Sequence, residues 1–217
     1  MPASGQKTGP LLEVMQGQPV IPVLKIDRAE DAVPLARALA RGGLPAIEIT
    51  LRTPAALDAI RAASAEVPEA IVGAGTILNA AQFAQAEAAG ARFIVSPGMT
   101  AQLAAAAASG DVPLLPGAVT ASEIMAAAEF GYSLLKFFPA EQAGGAAYLK
   151  ALSSPLAEIR FCPTGGVSAK NAADYLSLPN VICVGGSWVA PDDAVANGRW
   201  DEIEELARAA SRLGRRS

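Results

Sequence analysis

The sequence predicts an α/β fold, a single closed (β/α)8 barrel of the TIM type with a short helix ahead of the first strand. Three observations carry this. Short β-branched, apolar segments recur eight times, Ala-rich stretches of helical period lie between them, and the segments begin 20 to 26 residues apart. Strands repeating with a helix between them pair in parallel through right-handed crossovers, and eight such units are the number that closes a barrel. An open doubly wound sheet built for a dinucleotide would need a glycine-rich turn after its first strand. The segment there reads VLKIDRAED.

In chain order, residues 1–9 are expected to be a flexible N-terminus, and PLLEVMQGQ (10–18) a helix placed to cover the open bottom of the barrel. The strands follow in VIPVLKI (20–26), LPAIEIT (44–50), AIVGAG (70–75), RFIVS (92–96), VPLLPG (112–117), SLLKFFP (133–139), IRFCPTG (159–165) and NVICVGG (180–186). Between them lie helical patterns such as AEDAVPLARALARGG, TPAALDAIRAASAEV, NAAQFAQAEAAG, TAQLAAAAASG and AKNAADYLSL. Cap residues stand at their starts, with Thr53 before Pro54, then Asn79, Thr100 and Ser168, while Gly42, Gly90 and Gly110 fit their ends. The run from Ala104 to Ala108 is a helix made of its best former rather than low complexity.

The 217 residues suit one domain, 1–217, and 52% hydrophobic with 18% charged residues is a globular composition. A net charge of −4, with 17 Lys and Arg scattered along the chain, offers no basic stripe for a nucleic acid. The N-terminus MPASGQKTGP has no apolar signal core, and no stretch of about 18 apolar residues spans a membrane, so a cytoplasmic protein is expected. Cys162 and Cys183 fall in different strands and are expected to be reduced, buried thiols. There is no histidine and no CxxC pair, so neither a metal nor another cofactor is expected. Chemistry must come from Lys, Glu, Asp, Ser, Thr, Arg, Tyr or Cys.

One lysine interrupts the apolar run LLKFFPAE, residues 134 to 141. A lysine inside a buried strand is either paired or held neutral, and a neutral lysine amine is a nucleophile. If Lys136 points inward, alternation sends Leu134 and Phe138 inward too, and Leu135 and Phe137 toward the helices. In PAIEIT the same rule puts Ala46, Glu48 and Thr50 on the inner face. The second and sixth of eight strands face each other, so Lys136 and Glu48 converge from opposite walls. Such a pair can be a plain buried salt bridge or the two ends of a catalytic site.

A barrel of this kind builds its active site at the C-terminal ends of the strands. Arg52 lies just past the second strand, Thr76 past the third and Thr164 past the seventh. The last two strands end in glycine pairs, PTGGVSAKN and VGGSWVA, whose backbone N–H groups can approach an anion. The loops after the last two strands are where barrel enzymes commonly hold a phosphate, and Ser187 adds a hydroxyl there.

With EITLRT, VGAGT, SPG, FFPAE, RFCPTGGVS and GGSW in this order, the chain from about Pro19 to its last helix resembles the 2-keto-3-deoxy-6-phosphogluconate (KDPG) aldolases, class I enzymes that release pyruvate. The resemblance implies a Schiff-base lysine at Lys136 and an acid/base glutamate at Glu48. It further implies carboxylate contacts from Arg52 and Thr76 with Thr164 close by, and a phosphate site of Gly165, Gly166, Gly186 and Ser187. A homotrimer acting on a small phosphorylated keto acid in the Entner-Doudoroff route is also implied. Aldolases for the galactonate epimer or for 4-hydroxy-2-oxoglutarate (KHG), a phosphosugar isomerase and a silent phosphosugar-binding barrel stay open beside it. Lys25 departs from the resemblance by placing a charge on the first strand, either toward the mouth of the barrel, where it would act on Lys136 or the substrate carboxylate, or out to solvent.

Overall fold

The computed structural model describes residues 6–214. Helix α1 (Thr8–Gln16) precedes β1 (Val20–Leu24), and a 3-10 turn at Ala29–Asp31 leads into α2 (Ala32–Arg41). Then come β2 (Ala46–Thr50), α3 (Ala56–Glu66), β3 (Ile71–Gly75), α4 (Ala80–Ala88), β4 (Phe93–Val95) and α5 (Ala101–Ser109). The second half continues with β5 (Leu114–Leu115), α6 (Ala121–Glu129), β6 (Leu134–Phe137), α7 (Gly145–Leu152), β7 (Arg160–Pro163), α8 (Ala172–Leu176) and β8 (Val184–Gly186). Helices α9 (Asp192–Ala196) and α10 (Trp200–Ser211) close the chain. Among the described residues no helix is long and apolar enough to cross a membrane.

The strands form a curled parallel sheet in the order β5-β4-β3-β2-β1-β8, with β6 and β7 as a separate parallel pair. This differs from the expected single eight-stranded ladder. Among the described residues the backbone pairing between this pair and the sheet is by isolated bridges, Gly117 to Lys136 on one side and Phe161 to Val181 and Thr164 to Gly185 on the other. The cause is local. Pro113 and Pro116 bracket β5 and have no N–H to donate, which cuts that strand to two residues. Before β8, the Val181 N–H donates back to the Leu178 carbonyl in a turn, so the 180–183 stretch pairs at a single residue.

Gln6 makes up part of the missing ladder. Its side-chain Nε2 donates to the carbonyls of Leu114 (3.0 Å) and Leu134 (2.7 Å), joining β5 to β6. Its Oε1 accepts from the N–H groups of Ser133 and Leu134. The flexible segment expected over residues 1–9 is therefore corrected from Gln6 onward, because these bonds and the start of α1 at Thr8 tie it down. Residues 1–5 lie outside the described residues.

Two buried layers result. Ile47, Ile49, Leu135 and Phe137 point outward into the layer under the helices, where Phe137 stacks on Tyr148 and meets Phe161 edge-on. Ala46, Leu134 and Cys162 point inward with Ile21, Phe93 and Leu115, and α1 presses Leu11 and Met15, each 0% exposed, onto this inner layer. Helix α1 thus covers the bottom of the strand array. Cys162 and Cys183 are both buried. Asn79 and Thr100 cap α4 and α5 by accepting from Gln82 N–H and Leu103 N–H. Thr53 does not cap α3; its hydroxyl donates to the Ile26 carbonyl and ties the β2 loop to β1.

Candidate active site

Alternation along β2 and β6 brings Glu48 and Lys136 together. Their side chains are each 4% exposed, and Lys136 Nζ stands 3.2 Å from Glu48 Oε1. The ring of Phe138 lies 5.3 Å from the ammonium and offers it a cation–π face. The pair rests on the apolar inner layer. Lys136 is held through its backbone as well, its N–H donating to the Pro116 carbonyl and its carbonyl accepting from the Ala118 N–H. A primary amine beside a carboxylate, out of bulk water, suits attack on a carbonyl carbon with proton transfer through the acid.

A cleft of about 240 Å³ lies at the C-terminal ends of the strands, and Phe138, whose ring faces Lys136 Nζ, forms part of its wall. Arg52, Thr164, Gly165, Gly166, Gly186 and Ser187 line it together with Lys25 and Phe138. The Arg52 Nε donates to Thr76 Oγ1 at 3.1 Å, so these two residues form one polar edge beyond β2 and β3. Thr76 has φ of +59°, a left-handed backbone that a β-branched residue rarely adopts, and such strain marks functional positions. Thr164 is 6% exposed, and an added Cβ on Gly185 would lie 2.3 Å from its hydroxyl. Arg52, Thr164, the glycine turns and Ser187 therefore share one mouth, with Thr76 joined to it through Arg52 and the Lys136–Glu48 pair touching it only through Phe138, outside its lining.

Gly165 and Gly166 hold φ of +96° and +74°, a turn that side-chain-bearing residues resist. The loop after β6 buttresses it. The N–H of Ala140 donates to the Thr164 carbonyl and that of Glu141 to the Gly165 carbonyl. The Tyr175 hydroxyl on α8 donates to Glu141 Oε1, and burial, reinforced by that carboxylate, pushes the phenol well above its ordinary pKa. Tyr175 is thus a permanent donor. Sequence reasoning missed this brace, and also the room that Gly75 leaves; the FFPAE run was visible, but not its partner on a later helix.

One expectation needs adjustment. Ser168 is no helix cap; its N–H donates to Asn171 Oδ1 at 2.7 Å, and it does not line the cleft. Of the two places open to Lys25 it takes something of both: its side chain is 45% exposed and paired with Asp27 at 2.8 Å, a hydrogen bond that with the Asp27 charge raises its pKa, and it lines the cleft at the mouth. Among the described residues no group of three or more His, Cys, Asp or Glu side chains is arranged to hold a metal ion.

The family model described as "Aldolase: KDPG and KHG aldolase" matches residues 11–206. The chain belongs to this aldolase family. A 2-dehydro-3-deoxy-phosphogluconate aldolase of Pseudoalteromonas atlantica is 55% identical over 198 residues, 91% of this chain and 92% of the relative. A KHG/KDPG aldolase of Escherichia coli K12 is 52% identical over 192 residues, 88% of this chain and 90% of the relative. Among solved structures, a KDPG aldolase from Legionella pneumophila with pyruvate captured at low pH as a covalent carbinolamine intermediate superimposes with a TM-score of 0.91. It is 47% identical, over 94% of this chain and 99% of that one. In this aldolase-family chain the buried amine and its carboxylate partner sit within β6 and β2, and the glycine turns line the cleft at the strand ends.

Proposed function

We propose that this chain is a metal-independent class I aldolase that cleaves KDPG to pyruvate and glyceraldehyde 3-phosphate. The observation that carries the reading is the buried contact of 3.2 Å between Lys136 Nζ and Glu48 Oε1. Glu48 takes a proton from the Lys136 ammonium, and the free amine adds to the C2 ketone to give a carbinolamine. Glu48 returns a proton to the departing hydroxyl, water leaves, and a protonated imine remains as an electron sink. Glu48, directly or through water, then removes the C4 hydroxyl proton; the C3–C4 bond breaks, its electrons flow into the imine, and glyceraldehyde 3-phosphate departs. Protonation of the enamine at C3 and hydrolysis of the imine release pyruvate and restore the lysine.

In this scheme Arg52 and Thr76, with Thr164 beside them, hold the C1 carboxylate. Gly165, Gly166, Gly186 and Ser187 hold the phosphate, supported by their positions around one cleft. The name of the Escherichia coli relative favours KHG as a second substrate, since it differs at the end remote from C1 and C2. We further infer one domain over residues 1–217 in which the eight strands close as a (β/α)8 barrel; the bridges at Lys136, Val181 and Gly185 support closure. The family resemblance supports a cytoplasmic homotrimer.

Borohydride reduction in the presence of pyruvate, followed by peptide mapping, tests the scheme. A stable three-carbon adduct on Lys136 is expected, and an adduct on Lys25 instead would overturn the assignment. Glu48→Gln is expected to lose most turnover while still binding pyruvate.

A further inference from the structure

Lys25 has no part in the chemistry above, yet it lines the same cleft as the glycine turns. The register puts it there. Pro22 lies opposite Gly186 on β8 and Leu24 opposite Ile49 on β2, so Lys25 leaves the end of β1 between the Gly186–Ser187 turn and the Arg52 edge. Among the described residues lining the cleft, Lys25 and Arg52 are the two cations. Arg52 is committed to Thr76, on the far side of β2 from β8. A substrate with a carboxylate at one end and a phosphate at the other meets one cation near each end.

Charge makes the second cation necessary. Asp192 also lines the cleft, and its carboxylate would oppose a phosphate dianion otherwise held by neutral groups, the backbone N–H groups and the Ser187 hydroxyl. The ammonium offsets that carboxylate. Its present partner, Asp27, is itself 67% exposed, and an exposed pair of this kind is worth little, so exchanging it for a phosphate oxygen costs little. The four-carbon stem of lysine allows the swing.

We propose that Lys25 binds the substrate phosphate and sets this chain's preference for phosphorylated over unphosphorylated 2-keto-3-deoxy acids, an inference that rests on the aldolase reading above. The test compares KDPG with 2-keto-3-deoxygluconate, the same carbon chain without phosphate, for the wild type, Lys25→Met and Lys25→Arg. Lys25→Met is expected to raise KM for KDPG about tenfold with kcat unchanged, to leave KM for the unphosphorylated acid within twofold, and to lose its effect at high salt. Lys25→Arg is expected to recover most of the loss. Equal changes in KM for both substrates, or none for KDPG, overturn the proposal. Calorimetric titration with glycerol 3-phosphate separates the two readings, because it needs no turnover. A wild type that releases no pyruvate sinks the aldolase assignment, while weaker glycerol 3-phosphate binding by Lys25→Met still supports the lysine's role and unchanged binding rejects it.

Discussion

Gly75 stands where any side chain would strike the Glu48 carboxylate: an added Cβ would lie 2.0 Å from Oε1 and 2.6 Å from Cδ. Because Glu48 pairs with Gly73 and Thr50 with Gly75 across β2 and β3, the glycine strand supplies the room in which the carboxylate reaches Lys136. Gly75→Ala is expected to turn Glu48 away and lower kcat by about a hundredfold, the scale of a misplacement near 1 Å. Steady-state pyruvate release checks it, and turnover within twofold of wild type would mean that Glu48 tolerates displacement.

Breaking the buried pair on one side strands the other charge. Lys136→Met leaves the Glu48 carboxylate, at 3% exposure, without its cation, which costs about 3–5 kcal/mol of folding stability. Removing the stranded charge in Lys136→Met/Glu48→Gln is expected to restore much of it. Urea unfolding of the wild type, the single and the double variant measures this directly; a double variant no more stable than the single one contradicts it.

Acid is expected to weaken the start of α6. Glu123 accepts from the backbone N–H groups of Thr120 and Val119, which hold its carboxyl below the usual value of 4.5. A carboxyl with a depressed folded pKa contributes stability above its unfolded value and loses that contribution as pH falls through the folded one. The difference in stability between wild type and Glu123→Gln should therefore be full at neutral pH and shrink below about 4.5. Thr120→Ala, which removes the acceptor for the Glu123 N–H, is expected to cost about 1 kcal/mol at pH 7.

The Gly165–Gly166 turn should be sensitive to its support. An added Cβ on Gly166 would meet Glu141 Cγ at 2.6 Å and face an unfavourable φ of +74°. Gly166→Ala is accordingly expected to raise KM for KDPG with pyruvate trapping at Lys136 intact. Tyr175→Phe removes the hydroxyl that holds Glu141 and should cost about 1 kcal/mol, read as a lowered Tm.

Much of this was legible along the chain. The period-2 pattern of PAIEIT and SLLKFFP sorts Ile47, Ile49, Leu135 and Phe137 from Glu48 and Lys136, and the structure keeps that division. The limits of β5 and β8 were less legible, because they depend on which N–H groups find partners: two prolines and a turn remove donors that the apolar pattern counts as strand. Gln6 escaped notice for the converse reason. Its side chain imitates a strand partner, and nothing in MPASGQKTGP announces that.

By itself the sequence determined the αβ alternation, the inward faces of the second and sixth strands and the candidate amine, because these follow from the local period of apolar residues. Only the tertiary structure decided that Gly75 yields its space to Glu48, that Tyr175 holds Glu141 under the glycine turn, and that Lys25 lines the cleft while paired with Asp27. Those outcomes depend on contacts between residues far apart in the chain, and strand register together with close packing, not local pattern, sets which atoms meet.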